Sequence, residues 1–368
     1  MIPWASPLTQ ARAHRSEIDA AVARVLDSGT YVLGQEVEAF EREFAAYCGA
    51  AHGVGVGSGT DALILALRAL GIGQGDEVIT VSHTALATVA AVLAAGATPV
   101  LVDIDDHFTI DPSRLASAVS SRTKAVIAVH LYGQVADIDA ILAVTKCYGL
   151  KLIEDCAQAA GAKSGGRRVG ALADISCFSF YPTKNLGAIG DGGMVTTSDA
   201  GLALRVRRLR QYGWNDRRET EEPGLNSRLD PMQAAILRTK LPHLDRDNKR
   251  RRVIAQMYAT AFGRLPVTVP SARDGTEHAF HLYVLACNHR DALVDSLAMG
   301  GIGAAIHYPI PVHRQSGYAE RVIVPSGGLP ITERAVQRIL SLPIYPELSD
   351  DEVGRVISAV GRHFDMTR

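Results

Sequence analysis

The stretch CFSFYPTKNLGAIGDGG, residues 177–193, holds a lysine in an unusual setting. Its apolar start predicts a strand that leads to Lys184, which is flanked by Pro182 and four glycines. Lysines normally lie on solvated helices, and this segment is poor material for one. A constrained backbone and dense apolar neighbours lower the pKa of an amine, so Lys184 is predicted to be a usable nucleophile.

The strand before it, in LIEDCAQAAGA (152–162), ends at another ionisable residue. Asp155 opens a loop at the carboxyl edge of the predicted sheet, which is where α/β folds place their ligands. On its own, such an acid is somewhat better explained as a helix cap.

A glycine-rich run, GVGVGSGTDAL (53–63), precedes both segments. It follows a predicted strand and ends at a helix N-terminus, where backbone N–H groups and the helix dipole favour a phosphate. A dinucleotide fold fits poorly, because the spacing is not G-x-G-x-x-G and because Asp76 and Glu77 precede the second strand instead of ending it. The run alone does not distinguish a phosphate site from a tightly packed turn.

Taken together, the three segments predict one chemistry. An anion site, a carboxylate and a lysine on successive strand ends are the contacts that pyridoxal 5'-phosphate (PLP) requires. The carboxylate keeps the pyridine nitrogen protonated, and the amine bonds to the aldehyde. We therefore expect an enzyme that carries PLP on Lys184.

Short β-branched runs alternate with helical stretches from about residue 51 to residue 197. This pattern predicts an α/β fold with a mostly parallel seven-stranded sheet between helices. The predicted strands are Val54–Val56, Glu77–Val81, Thr98–Val102, Ala125–Val129, Lys151–Glu154, Ile175–Phe178 and Gly193–Thr196.

The character of the chain changes near Leu241, where Pro242 follows a helical pattern. We predict a large cofactor-binding domain over 1–240, which includes the N-terminal segment, and a smaller α+β domain over 241–368. The basic run at 249–252 has acidic neighbours and predicts a solvated helix face. The small domain has predicted strands near His281–Ala286 and Ala304–His307 and predicted helices near Asp291–Ala298, Ile331–Leu340 and Asp350–His363.

The composition argues against several classes of partner. The 368 residues include 38 Lys plus Arg and 39 Asp plus Glu, so neither nucleic acid nor an anionic membrane is an expected partner. The apolar stretches are too short to span a bilayer, and no secretion signal is recognisable. Five scattered cysteines argue against disulfides and against a zinc site, and they predict a reducing cytoplasm. We expect no metal.

An ordered set of segments resembles the DegT/DnrJ/EryC1/StrS sugar aminotransferases, which have the type I fold of aspartate aminotransferase. The likeness extends over nearly the whole chain. The segments are EIDAAVARVLDSGTYVLGQEVEAFEREFAAYCG, GVGSGTDAL, EDCAQAAGA, FSFYPTKNLGAIGDGGMV, GLNSRLDPMQAA and IHYPIPVH.

The resemblance implies roles for individual residues. Lys184 matches the lysine that forms the Schiff base, Asp155 the partner of the pyridine nitrogen, and Gln158 a residue close to the cofactor ring. Asn226 matches an asparagine that reaches the phosphate of the neighbouring subunit, which implies a homodimer with shared active sites. The phosphate contacts match Gly59, Thr60 and Ser179.

One position departs from the family pattern. Many relatives carry an aromatic ring, which stacks on the cofactor, where this chain has Ala85. His83 lies two residues away and could supply a flat ring, although it could equally be a packing residue. Lys184 excludes the dehydratases of the family, which have histidine in its place.

For the reaction, the resemblance implies amino transfer from glutamate to a nucleotide-linked keto sugar, with pyridoxamine phosphate formed in the cycle. Tyr181 and Asp191 around the lysine look most like enzymes that aminate dTDP-3-keto-6-deoxyhexoses. Thr183, where close relatives often have glycine, leaves the exact sugar open. The candidates to line the sugar pocket, each of which could be a packing residue with a polar tip, are Tyr31, Tyr181, His307, Tyr308 and His313.

Two alternatives stay open. The first is a 4-aminotransferase acting on a UDP- or GDP-linked 4-keto sugar, or an inosose aminotransferase, with the same cofactor. The second is a non-catalytic regulatory or binding protein that keeps the fold. Intact Lys184, Asp155, Ser179 and Asn226 argue against the second alternative.

Overall fold

A seven-stranded sheet forms the centre of the computed structural model, which describes residues 1–366. The strand order is β1-β9-β8-β5-β4-β2-β3, and β9 alone in this sheet runs antiparallel to its neighbours. The predicted α/β fold with a mostly parallel sheet is confirmed. In chain order the strands are β1 (His52–Val56), β2 (Glu77–Val81), β3 (Thr98–Val102), β4 (Thr123–Val129), β5 (Lys151–Asp155), β6 (Lys163–Ser164), β7 (Arg167–Arg168), β8 (Ile175–Ser179), β9 (Gly193–Thr197), β10 (Val267–Thr268), β11 (Thr276–Glu277), β12 (Tyr283–Cys287) and β13 (Ile339–Leu342).

The helices cover the sheet and build most of the C-terminal part. They are α1 (Pro7–Ala13), α2 (Arg15–Ser28), α3 (Gln35–Cys48), α4 (Gly59–Ala69), α5 (Leu86–Ala94), α6 (Leu115–Ala118), α7 (Ile138–Tyr148), α8 (Ala200–Leu209), α9 (Pro231–Lys240), α10 (Leu244–Phe262), α11 (Arg290–Met299), α12 (Pro330–Val336) and α13 (Asp350–Met366). Short 3-10 turns lie at Pro112–Arg114, Leu131–Gly133, Leu241–His243, Val312–Arg314 and Ala319–Arg321.

Local capping explains where several helices begin and end. The side chains of Ser58, Asp137 and Asp199 accept hydrogen bonds from the first-turn amides of α4, α7 and α8. Gly49 and Gly149 end α3 and α7 in the left-handed conformation, which costs glycine little because it has no Cβ. These signals can be read from the sequence, and they fix the lengths of the helices around the sheet.

The two largest apolar cores do not divide the chain cleanly near residue 241, because Leu282, Val284 and Ile339 belong to the larger one, and the predicted domain boundary stays a prediction. The larger core lies between the sheet and its helices and includes every residue of the strand segment Val126–Val129. The second core joins the N-terminal Ile2 to the C-terminal part, including Tyr258, Phe262, Tyr283 and Val356. A bridge between Ile2 and Ile302 fixes the N-terminus on this second core.

Two predictions for the C-terminal part are wrong. Ala304–His307 is not a strand, because it makes only an isolated bridge from Ala305 to Ser341. The helix predicted over Ile331–Leu340 ends at Val336, and Ile339–Leu342 instead forms β13 on the edge of β12. An apolar run fits either structure locally, and here the backbone hydrogen bonds that β12 offers decide the outcome.

The basic run at 249–252 is also not a wholly solvated face. Arg251 is 4% exposed, and its Nη1 donates to the carbonyl oxygens of Phe280, His281 and Ile344. Burial lowers the pKa of Arg251 to about 10. The side chain therefore joins α10 to the segments before β12 and after β13, which the charge pattern did not indicate.

Glu154 is a fully buried carboxylate at the centre of the sheet. It receives hydrogen bonds from His130 Nε2 at 3.0 Å, Ser176 Oγ at 2.7 Å and the amides of Gly170 and Leu172. Burial raises the pKa of Glu154, but the bonds from His130, Ser176 and Leu172 outweigh burial and hold the pKa below its ordinary value of 4.5. The ionised carboxylate therefore ties β5 to β8 and to the chain that follows β7.

We expect Glu154→Gln to lower the free energy of unfolding by about 2 to 4 kcal/mol, because an amide cannot accept from every donor around it. Since the folded pKa is depressed, the contribution of the carboxylate is present above the ordinary value of 4.5 and is lost as the pH falls through the lower folded value. Denaturant unfolding at several pH values measures both effects. The matched control is Glu38→Gln on the exposed face of α3, and equal stability of the two variants would contradict the assignment.

Candidate active site

A cavity of about 230 Å³ opens at the carboxyl edge of the sheet. The ends of β4, β5 and β8 and the first turns of α4 and α5 form its walls. The lining residues are Ser58, Gly59, Thr60, Leu63, Thr84, Ala85, Ala87, Val129, Asp155, Ala157, Gln158, Ser179, Tyr181, Lys184, Asp191 and Gly192. The structure thus brings together the three segments that the sequence analysis singled out.

Lys184 lies in a turn just beyond β8. Its amide donates to the carbonyl of Tyr181 at 2.8 Å. The neighbouring Asn185 is buried and donates to Asn248 Oδ1 at 2.7 Å and to the carbonyl of Ala279 at 2.9 Å. Burial lowers the pKa of Lys184 to about 8, although the charge of Asp155 opposes this shift. The cavity therefore contains an amine that is easily deprotonated on a well-anchored turn.

Asp155 ends β5 and is 5% exposed. Its Oδ2 accepts from Thr88 Oγ1 at 2.8 Å, and its Oδ1 accepts from the amide of Ala157 at 3.1 Å. Burial raises the pKa of Asp155, while the bonds from Thr88 and Ala157 and the charge of Lys184 oppose the increase. The carboxyl group is therefore fixed in place, and it lies close enough to Lys184 for the two charges to interact.

The start of α4 forms an anion-binding wall. Ser58 caps this helix, and the first amides of a helix have no acceptor within it. A Cβ added to Gly59 would lie 2.7 Å from the Cβ of Ser179, closer than atoms can pack. Only glycine at this position lets the Ser179 side chain approach the helix N-terminus. The helix start and the Ser179 hydroxyl thus present donors to one small volume, which fits a phosphate group.

Gln158 lines the cavity and is held at both ends of its amide. Its Oε1 accepts from the backbone amide of Tyr132 at 2.7 Å, and its Nε2 donates to the hydroxyl of Tyr308 at 3.0 Å. The Tyr132 hydroxyl in turn donates to the carbonyl of His307. His307 and Tyr308 therefore lie next to the cavity and support one of its walls, although neither lines it.

The structure places two of the histidines predicted for the site away from the cavity. His83 is 1% exposed and does not line the cavity, whereas Ala85 does. The His83 ring packs against Phe108 and Tyr132, and its Nε2 lies 2.6 Å from the Tyr132 hydroxyl, which explains why it turns inward.

His313 is buried away from the cavity. Its Nδ1 lies 2.7 Å from Ser82 Oγ, and its Nε2 lies 3.1 Å from Glu333. These contacts use both ring nitrogens to fasten the short turn at Val312–Arg314 to Ser82 and to α12. His313 is therefore a packing residue in this structure.

The other predicted residues lie at the surface. Tyr181 is 53% exposed at the mouth of the cavity. Tyr31 is exposed, and its hydroxyl donates to the carbonyl of Leu26 at 3.1 Å. Asn226 is also exposed, and within one chain neither Tyr31 nor Asn226 lines the cavity.

Three further residues that shape the site could not be predicted from the sequence. Thr88 holds Asp155, and Tyr132 holds Gln158. His281 is buried, and burial together with the charge of Lys184 holds its pKa well below the ordinary value. Each is brought there by a long-range contact, so no local signal could have found them. The positive φ of Tyr132 is equally invisible in the sequence.

Comparison with known proteins gives consistent results. The model of the DegT/DnrJ/EryC1/StrS aminotransferase family matches residues 12–361. The chain is 50% identical over 348 residues to the dTDP-3-amino-3,4,6-trideoxy-alpha-D-glucose transaminase of Streptomyces venezuelae, covering 94% of this chain and 92% of that protein. It is 46% identical to the UDP-N-acetyl-3-dehydro-alpha-D-glucosamine 3-aminotransferase of Acidithiobacillus ferrooxidans, covering 97% and 98%.

The fold comparison agrees. The crystal structure of S. venezuelae DesV in complex with a ketimine intermediate superposes with a TM-score of 0.96 at 48% identity, covering 98% of each chain. Over residues 1–366, no helix combines the length and the apolarity needed to cross a membrane.

We expect the reactivity of Lys184 in cofactor-free protein to rise with pH and to be half-maximal at about pH 8, because the neutral amine is the reactive form. Trace acetylation followed by peptide mass spectrometry measures this profile for each lysine separately. Lys124 is an exposed lysine on β4 and supplies the reference profile. A Lys184 profile that follows that of Lys124 would show that the cavity does not perturb the amine.

Proposed function

The chain belongs to the DegT/DnrJ/EryC1/StrS aminotransferase family, and from this premise we propose that it moves an amino group from glutamate to the third carbon of a nucleotide-linked keto sugar. The substrate we propose is a dTDP-3-keto-6-deoxyhexose. The cofactor is PLP, with pyridoxamine phosphate formed in the cycle. The observation that carries the proposal is the convergence of Lys184, Asp155 and the start of α4 on one cavity.

The residues present fit the cofactor. The phosphate fits the start of α4, where Gly59 leaves room for Ser179 to approach. The pyridine nitrogen fits Asp155, and the aldehyde fits Lys184. When bound, PLP supplies an aldehyde that bonds to amines and a ring that accepts the charge developing at the neighbouring carbon.

Lys184 is the residue that would move a proton. With its pKa lowered to about 8, a useful fraction of its Nζ is uncharged near neutral pH. Such an amine can take a proton from the α carbon of the donor and then release it. The turn anchored by Asn185 keeps Nζ in the cavity during this exchange.

Asp155 would hold a proton on the ring nitrogen. Its carboxylate is fixed by Thr88 and by the amide of Ala157, so it need not reorganise as charge develops. A cationic partner at this carboxylate would also offset the raised pKa that burial gives it. Gln158 is held by hydrogen bonds with Tyr132 and Tyr308, and it would orient the pyridine ring of the cofactor.

The sugar would enter past Tyr181 and Asp191, which line the mouth of the cavity. Both relatives described above are named for amination at the third carbon, one with a dTDP sugar and one with a UDP sugar. These names support the 3-keto substrate over the 4-keto alternative. The small side chain of Ala85 leaves space in the wall where many relatives carry an aromatic ring.

A homodimer with shared active sites is part of the proposal. Asn226 projects from the surface, and a neighbouring subunit is where it could meet a phosphate. We also propose a cytoplasmic location, since the five cysteines are all free thiols, as a reducing compartment keeps them.

We expect Lys184→Ala to abolish turnover and to remove the visible absorbance band of the holoenzyme, because no amine remains to bond to the cofactor. In the native enzyme, glutamate should convert a band at about 415 nm to one at about 330 nm. Absorbance scans of both proteins measure this. Lys124→Ala serves as the matched control and should behave like the native enzyme. Retained turnover in Lys184→Ala would refute the assigned role.

For the substrate, we expect kcat/KM to favour a dTDP-3-keto-6-deoxyhexose over its 4-keto isomer by about 100-fold or more, because a misplaced carbonyl leaves the reacting groups apart. Turnover of a panel of dTDP- and UDP-linked 3-keto and 4-keto sugars, with the products identified by NMR, measures this preference. A preference for 4-keto sugars would contradict the proposal and favour the alternative reaction.

A further inference from the structure

Three polar side chains converge where α1 meets α2. His14 separates these two helices, Glu17 lies in the first turn of α2, and His243 lies in the short turn between α9 and α10. One ligand atom of each lies within 4.8 Å of the others. We propose that His14, Glu17 and His243 form a binding site for a single zinc ion.

The spacing of the three side chains fits an ion better than direct bonds. His14 Nδ1 lies 3.8 Å from Glu17 Oε1, and His243 Nε2 lies 3.6 Å from Glu17 Oε2. Both distances exceed those of hydrogen bonds. Ligand atoms around a tetrahedral zinc ion, with bonds of about 2.0 to 2.1 Å, lie about 3.3 Å apart. Because the His14 and His243 rings stack nearly parallel, the partly exposed His243 ring must turn about its side-chain bonds to bring both nitrogens onto one ion.

The Nδ1 atom of His14 is not used elsewhere. As the first residue before α2, His14 makes no capping hydrogen bond through its side chain. The His243 ring lies beside it, with the two ring centroids 4.5 Å apart.

The ligand types select zinc over the common hard cations. Two imidazole nitrogens and one carboxylate suit Zn²⁺, whereas Mg²⁺ and Ca²⁺ prefer oxygen ligands. The side chain of Glu17 is 51% exposed and that of His243 is 28% exposed, so water can complete the coordination. A second cluster, His130 with Glu154 and Cys156, is fully buried and already joined by the 3.0 Å hydrogen bond from His130 to Glu154, so it offers an ion no comparable gap.

The site lies next to hydrogen bonds that support the loop after Lys184. Gln10 is one helical turn before His14, and Lys240 is three residues before His243. Lys240 Nζ donates to Gln10 Oε1 at 3.1 Å and to the carbonyl of Gly187 at 2.7 Å. An ion that joins His14 to His243 would fasten the same two segments together. Zinc is therefore expected to stabilise the N-terminal helices against the loop that follows Lys184.

The test uses untagged, metal-free holoenzyme titrated with zinc chloride in a calorimeter. We expect one equivalent to bind, and the midpoint of thermal unfolding to rise with zinc concentration, because the ion binds the folded state. Glu17→Ala and His243→Ala should each weaken binding by at least about tenfold. His14 is buried and its replacement could disturb folding, so the two more exposed ligands carry the test.

The controls are Asp19→Ala, an exposed acid on α2, and His289→Gln, an exposed histidine outside the site, both of which should bind zinc like the native protein. X-ray absorption of the complex should show imidazole nitrogen and no sulfur. The proposal is overturned if the native protein shows no saturable binding, if both ligand variants bind zinc unchanged, or if sulfur coordinates the ion, as the exposed Cys147 could. No sugar or amino donor is used, so these outcomes are independent of the proposed aminotransferase activity.

Discussion

The site depends on one electrostatic constraint. The buried carboxyl group of Asp155 shares a cavity with the desolvated amine of Lys184. Successive residues of a strand point to opposite faces, so with Asp155 in the cavity the side chain of Glu154 lies on the opposite face of the sheet. The hydrogen bonds of Glu154 hold β5 against β8, the strand that leads to Lys184. The relative position of Asp155 and Lys184 thus depends on the register of β5 against β8. That register depends in turn on Glu154, whose carboxylate does not line the cavity.

Local pattern was enough to predict the fold and the main chemical groups. The seven strands could be predicted because each is a short β-branched run bounded by helix caps such as Ser58 and Asp137. Lys184, Asp155 and the glycine-rich segment could be placed together because parallel strands deliver their carboxyl ends to one edge. To place these groups at one edge it was enough to know where each strand ends along the chain, and the sequence pattern shows this.

The support around these groups could not be predicted, because it comes from contacts between distant segments. Thr88 reaches Asp155 across 67 residues of sequence, and the burial of Arg251 depends on carbonyls at 280, 281 and 344. His83 was a candidate because it lies close to Ala85, and His313 because it ends the IHYPIPVH segment, but partners elsewhere in the chain turn both side chains inward. The zinc ligands are likewise separated by more than 200 residues between His14 and His243.

A second lysine, Lys240, resembles Lys184 in its burial and lowered pKa and is therefore the alternative carrier of the cofactor. Burial lowers the pKa of Lys240 to about 8, as it does for Lys184. Lys240 does not line the cavity, and its Nζ donates hydrogen bonds to Gln10 and to the carbonyl of Gly187. Reduction of the PLP-loaded enzyme with borohydride, followed by peptide mapping, identifies the nitrogen that carries the cofactor. The account predicts a pyridoxyl group on Lys184 alone. A pyridoxyl group on Lys240, or on no lysine, would contradict it.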